Sequence, residues 1–271
     1  MSHKPTVIHL LRSCYTNTII ALILFPFVYV QVFTTTIIAY RTGVAVYIAT
    51  DSRARDGNGR ILPPICKIHI IGNAAIAHTG FHSGGSYNAD SIVCQSHRTS
   101  RTLKEFYGIY SQKMSDALTA RIIEVQAAGD TTYHPREGPI RLVQAAIADM
   151  PNGVPHLVVL DFYAIVRDSA DVTVYYLRGD CPGDCPRDTF MFVGGISSAI
   201  ERILPGEKPV RLLDSLGVVA GIDSLITLQS HATPDSVSPP IDIVRVNHLG
   251  AEWIQQKENC YGYSHKEPRL K

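Results

Sequence analysis

The sequence has almost no net charge: 25 Lys and Arg stand against 24 Asp and Glu, leaving a formal +1. That balance favours neither a nucleic-acid partner nor an acidic one. The six cysteines and eleven histidines show no zinc-site spacing, so the expected list of metals and cofactors is empty. Linkers, internal repeats and low-complexity stretches are also lacking. Charged residues make up only 18% of the 271 positions and apolar ones 45%, which suits a globular chain with a sizeable core. The length allows one large domain or two small ones.

The first long feature that is present is apolar. His3, Lys4 and Arg12 precede a run over 19–33 broken only by Pro26 and Gln31. A weakly basic start followed by such a run resembles a secretory signal, and it is short for a membrane span. Val32 and Thr34 loosely meet the small-residue preference of a signal peptidase, and cleavage after them leaves Thr35 first. The alternatives are a propeptide and an apolar β-arm of a cytosolic chain. The expected organisation is a removed leader over 1–34, one domain over 35–257 and a polar tail over 258–271. Membrane contact is expected only through the leader, and localisation is secretory, or cytoplasmic if the leader is a propeptide.

Export would permit disulfides. Cys14 lies in the leader; Cys66, Cys94, Cys181, Cys185 and Cys260 follow, so one of the five is left over. Cys181 and Cys185 flank Pro-Gly-Asp in a turn that a local bridge can span. That spacing has one residue too many for the common redox motif.

Apolar runs alternate with turn signals over the first part of the domain. Strands are expected at 36–40 and 44–49, a turn at 56–59, and strands at 66–71 and 74–78. From 88 to 128 apolar residues recur at helical spacing, as in Leu103, Phe106, Tyr107 and Tyr110. The alanine-rich stretch 141–150 reads as a further helix. Strands return at 157–163, 172–177 and 190–193, helices at 197–204 and 212–229, and strands at 241–246 and 252–255. Grouped strands alternating with grouped helices imply an α+β fold rather than βαβ units. Helices flanking two antiparallel sheets would form a four-layer αββα sandwich.

A hydroxyl, a carboxylate and an amine fall at even intervals: Thr35, Asp51 sixteen residues on, and Lys67 thirty-two residues on. A threonine hydroxyl is a poor nucleophile until a base takes its proton. An α-amine has a pKa of about 8, so a threonine at a chain terminus carries its own base. Lys67 would supply a positive field for the alkoxide, with Asp51 as its partner and Arg53 bracing the same loop. An unpaired lysine is rarely buried, so Lys67 in an apolar strand calls for that partner.

These residues resemble the proteasome β subunit and its bacterial ring-peptidase relative, both N-terminal-nucleophile (Ntn) hydrolases. The family's opening Thr-Thr-Ile-Val matches Thr35-Thr36-Ile37-Ile38, its Ala-Asp-Ser-Arg turn matches Thr50-Asp51-Ser52-Arg53, and its lysine falls on Lys67. Its second motif, an aspartate followed three residues later by serine, matches Asp235 and Ser238. The resemblance implies a threonine peptidase or amidase with catalytic residues Thr35, Asp51, Lys67, Asp235 and Ser238. Gly80 would be the oxyanion donor, and Ala54, His78 and Thr79 would line the substrate pocket. It implies a peptide or protein substrate and a homo-oligomer or ring.

The sequence departs from that pattern at several points. Thr34 stands where the family has a glycine, so cleavage by an outside peptidase is expected rather than self-cleavage. Gly195 stands where the family has a serine, leaving Ser197 or Ser198 to replace the hydroxyl. Pro239-Pro240 stand where it has paired glycines, and proline has no amide hydrogen. The helical middle is longer than in an ordinary subunit by about thirty residues. A non-catalytic subunit on the same fold and an amidase for non-peptide amides are the alternative functions.

Overall fold

The computed structural model describes residues 35–55, 61–80, 83–168, 171–185 and 187–257. The expected leader, the turn at 56–59, His82 and the tail lie outside them. Threonine, isoleucine and tyrosine build β1 (Thr36–Arg41), which turns through Thr42 into β2 (Val46–Thr50). The Thr42 hydroxyl accepts from the amides of Val44 and Ala45 at 3.3 and 3.0 Å, which fixes that turn. A short pair follows, β3 (Ala54–Arg55) with β4 (Ile61–Leu62). Then comes the hairpin of β5 (Ile68–Ile71) and β6 (Ala74–Gly80), and a second short pair, β7 (Ser83–Gly84) with β8 (Tyr87–Asn88).

The stretch 88–128, apolar at helical spacing, forms two helices, α1 (Ala89–Thr99) and α2 (Leu103–Ala127). Each starts on a side-chain cap: Asn88 accepts from the Ser91 amide at 2.8 Å and Thr102 from the Glu105 amide at 3.2 Å. The second cap interrupts what the apolar spacing alone joins.

Three strands follow, β9 (Ile140–Asp149), β10 (His156–Val166) and β11 (Val172–Cys181), then β12 (Phe190–Gly195). Cys181 and Cys185 are disulfide-bonded across the expected turn. Helices α3 (Ser198–Ile203), α4 (Lys208–Leu216) and α5 (Val218–Ala232) come next, with Gly217 dividing the last two where one helix was expected. The chain closes on β13 (Asp242–Asn247) and β14 (Gly250–Gln255).

The helix expected at 141–150 is a strand. Its alanines suit a helix in isolation, but β9 lies between β6 and β10 in the middle of a sheet. Both of its faces are buried, so small side chains are what the space admits: Ala146 and Ala148 face one apolar cluster, Ala145 and Ile147 another. Packing on both sides overrides local propensity here.

Two five-stranded sheets result, ordered β12-β1-β2-β13-β14 and β11-β10-β9-β6-β5. Every neighbouring pair within them is antiparallel. Three apolar clusters relate the elements. In the first, α1 and α2 pack on β6, β9 and β10 through Phe106, Tyr110, Met114, Ile147 and Phe162. In the second, α3 to α5 pack on β1, β2 and β13 through Ile38, Ile200, Leu213, Ile226 and Ile243. The third joins the two sheets through Ile37, Ile48, Ile68, Ala75, Ala77 and Ala146. Each fully buried isoleucine contributes roughly 1.5–3 kcal/mol. The fold is α+β with two antiparallel sheets and helices, compatible with a sandwich of helix, sheet, sheet and helix.

No helix of the described residues is long and apolar enough to cross a membrane.

Candidate active site

One end of the two sheets gathers the polar residues. Thr35 immediately precedes β1 and is buried, with its carbonyl held from two sides. It accepts from the Ile196 amide at 2.9 Å and from the Thr79 hydroxyl at 3.1 Å. Thr36 pairs with Gly195 in the β1–β12 register and donates its hydroxyl to the Ile196 carbonyl at 2.5 Å. The start of β1 is therefore clamped between the end of β12 in one sheet and β6 in the other.

Asp51 immediately follows β2 and is fully buried. Its Oδ1 accepts from the Thr36 amide at 3.0 Å and from Lys67 Nζ at 3.1 Å. Its Oδ2 accepts from the Arg53 amide at 2.8 Å and the Ser238 amide at 3.3 Å. A buried carboxylate with four donors is satisfied, which offsets its loss of hydration. Lys67, just before β5, is also buried, and Nζ donates to the Arg53 carbonyl at 2.5 Å as well. Burial pushes the Lys67 ammonium down to about 8; the charge and hydrogen bond of Asp51 oppose that fall, and the Lys257 ammonium adds to it.

Arg53 spans the same loop. Its guanidinium donates to the Pro234 carbonyl at 3.1 Å, joining the segment after β2 to the turn before β13. Ser52 strengthens the same join: its amide donates to the Ser238 carbonyl at 3.1 Å, and its hydroxyl donates to the Pro240 carbonyl. Of the second motif, Ser238 reaches Asp51 through its backbone amide, so the contact does not need the missing glycine amides. Asp235 stands exposed three residues earlier on the turn. Ala54, His78 and Thr79 are all buried. Thr79 touches Thr35, whereas His78 is stacked on His69.

The two glycines with unusual sequence roles have steric reasons. Gly80 ends β6 at a φ of +99°, and a Cβ there would lie 2.2 Å from the Leu142 carbonyl oxygen. Gly195 has a φ of +74°, and its Cβ would lie 1.8 Å from the Thr35 oxygen and 2.7 Å from the Thr79 hydroxyl. A serine at 195 is thus excluded by the close approach of Thr35 rather than by drift of the motif. Neither neighbour replaces the hydroxyl at this point: Ser197 donates to Glu201, and Ser198 is exposed at the start of α3. Gly195→Ala should cost at least about 2 kcal/mol and shift Thr35, as read by chemical denaturation. Wild-type stability in that variant would refute the close approach.

Sequence reasoning missed two buried supports. Gln144 on β9 accepts from the Gly195 amide at 2.7 Å and donates to Asp161 at 2.5 Å, tying the sheets together beside Thr35. Lys257 forms a second buried ion pair with Asp242 at 2.6 Å. Its Nζ also donates to the carbonyls of Ile65 and Asp51, at 2.9 and 3.4 Å. Burial lowers the Lys257 pKa, against the pull of Asp242. The only available signal was an isolated Asp242 in an apolar strand, with its partner fifteen residues away.

The chain matches no known family model, and comparison with curated proteins finds no significant match.

Proposed function

We propose that this chain is a threonine-type Ntn hydrolase resembling proteasome β subunits, which cleaves peptide or related amide bonds once Thr35 is the first residue. The observation that carries the reading is the Asp51 carboxylate, shared between Lys67 Nζ and the Thr36 amide. This arrangement supports a positive charge next to Thr35 and fixes the backbone that bears its hydroxyl.

The free α-amine of Thr35 takes the hydroxyl proton, and Oγ1 attacks the substrate carbonyl carbon. The resulting oxyanion is met by the amide at Gly80, next along β6 from the residue that holds the Thr35 carbonyl. The ammonium returns its proton to the departing amine as the C–N bond breaks, leaving an ester on Thr35. Water, deprotonated by the same amine, cleaves that ester. Lys67 stays charged throughout and lowers the cost of the alkoxide. In the same proposal Arg53 is a supporting residue, Asp235 and Ser238 complete the site, and Ala54 and Thr79 shape the pocket; His78 has no part in it, since its ring lies against His69 and Asp90 on the other face of β6. Removal of 1–34 in a secretory pathway makes the active end, and assembly as a homo-oligomer or ring encloses it.

N-terminal sequencing of the mature protein is the direct test, and any start other than Thr35 sinks the mechanism. The pH profile is a second readout. Activity rises as the α-amine becomes neutral and falls as Lys67 loses its proton near 8. A bell with its top at roughly pH 7–8 is expected in kcat/KM. A plateau extending to pH ~10 would remove charged Lys67 from the mechanism.

The rival reading is a non-catalytic subunit or interaction protein on the same fold. The hydroxyl missing at Gly195 favours it, and an unprocessed native chain would support it.

A further inference from the structure

On the opposite face of β5 and β6 from the inter-sheet core, two histidines and one carboxylate converge under the start of α1. His69 lies on β5, His78 on β6 and Asp90 in the first turn of α1. His69 Nε2 is 2.8 Å from Asp90 Oδ1, and His78 Nε2 is 3.7 Å from the same oxygen. The two imidazoles are nearly parallel, 5° between planes, with centroids 5.8 Å apart. One ligand atom from each of the three residues falls within 4.8 Å of the others.

We propose that His69, His78 and Asp90 form a binding site for a zinc-type divalent transition ion. Two imidazoles and a carboxylate are a donor set that zinc uses with a fourth position left to water. Ligands about 2.0–2.1 Å from such an ion lie roughly 3.3 Å apart. The present spacings bracket that value, so small side-chain rotations bring all three onto one ion. His69 and His78 are buried, while Asp90 keeps 29% of its side chain exposed, which leaves an approach from the α1 side. The three ligands come from three elements and spread over twenty-one residues, so no linear spacing announces them.

An ion here would pin α1 to the strands whose ends carry Lys67 and Thr79, without touching Thr35. This site stands independently of the hydrolase reading, and its test does not involve activity.

The test uses the full chain after chelation and dialysis, titrated with Zn²⁺ by calorimetry and with Co²⁺ by visible absorption. Mg²⁺ serves as the control. One Zn²⁺ per chain is expected, with Co²⁺ showing the bands of a nitrogen-containing, four- or five-coordinate site. Asp90→Asn and His69→Gln, which preserve shape, should each bind Zn²⁺ at least about tenfold more weakly while keeping the wild-type circular dichroism. Absence of stoichiometric uptake by the wild type, or unchanged affinity in either folded variant, would overturn the site. If His69→Gln does not fold, Asp90→Asn decides, because its side chain lies toward solvent.

Discussion

On the proposed hydrolase reading, Thr35→Ala is expected to lower amide hydrolysis by at least ~10⁴-fold, since removing the proposed nucleophile leaves only binding and oxyanion stabilisation. Thr35→Ser retains the hydroxyl and should keep a measurable rate, reduced through loss of the methyl that restricts χ1. The comparison is informative because the structural contacts of residue 35 run through its carbonyl. That oxygen accepts from Ile196 and Thr79 whatever the side chain is. Alanine should therefore fold normally and fail chemically. The measurements are single-turnover cleavage of peptide and acyl-amide substrates, covalent labelling by an electrophilic peptide, and a melting curve. Unchanged turnover in Thr35→Ala would dismiss the residue as nucleophile. Cleavage of acyl amides but not peptides would narrow the reaction to an amidase.

Much of the frame was legible because it depends on local chemistry. β-Branched runs at β1, β2, β10 and β13 declare strands, and Asn88 marks a helix start through its own side chain. The Asp51–Lys67 pair was legible for a different reason: a lysine next to an apolar strand has to find a partner, and Asp51 offers a carboxylate sixteen residues back. What escaped depends on packing between distant segments. Alanines in β9 look helical until both faces of the strand are covered. Gly195 looks like a lost serine until the Thr35 oxygen is seen 1.8 Å from where its Cβ would stand. Lys257 itself carries no marker beyond the isolated Asp242, since its partners Asp242, Ile65 and Asp51 come together only when β2, β13 and the segment before β5 are assembled.

The buried pair offers the second large effect, and it separates a catalytic origin from a structural one. Asp51→Asn leaves the Lys67 ammonium buried without its counter-charge, and Lys67→Met leaves the Asp51 carboxylate in the same position. Each should destabilise the fold by about 3–5 kcal/mol in urea or guanidinium unfolding. The double variant should recover much of that loss, because neither charge remains to be desolvated, so the two losses should be strongly non-additive. Stability against pH gives an independent check on Lys67. Its folded pKa of about 8 lies below the ordinary 10.5, so between these values the unfolded chain binds more protons than the folded one. The Lys67 contribution to stability therefore rises as pH increases through that window, and the measured rise should shrink in Lys67→Met to the part that Lys257 contributes. If the double variant is as stable as the wild type yet hydrolyses nothing, the pair is kept for its positive field beside Thr35. Additive losses with no recovery would instead make Asp51 and Lys67 separate structural anchors, the first for Thr36 and Ser238 and the second for the Arg53 carbonyl. In that case the non-catalytic reading gains the ground that the hydrolase reading loses.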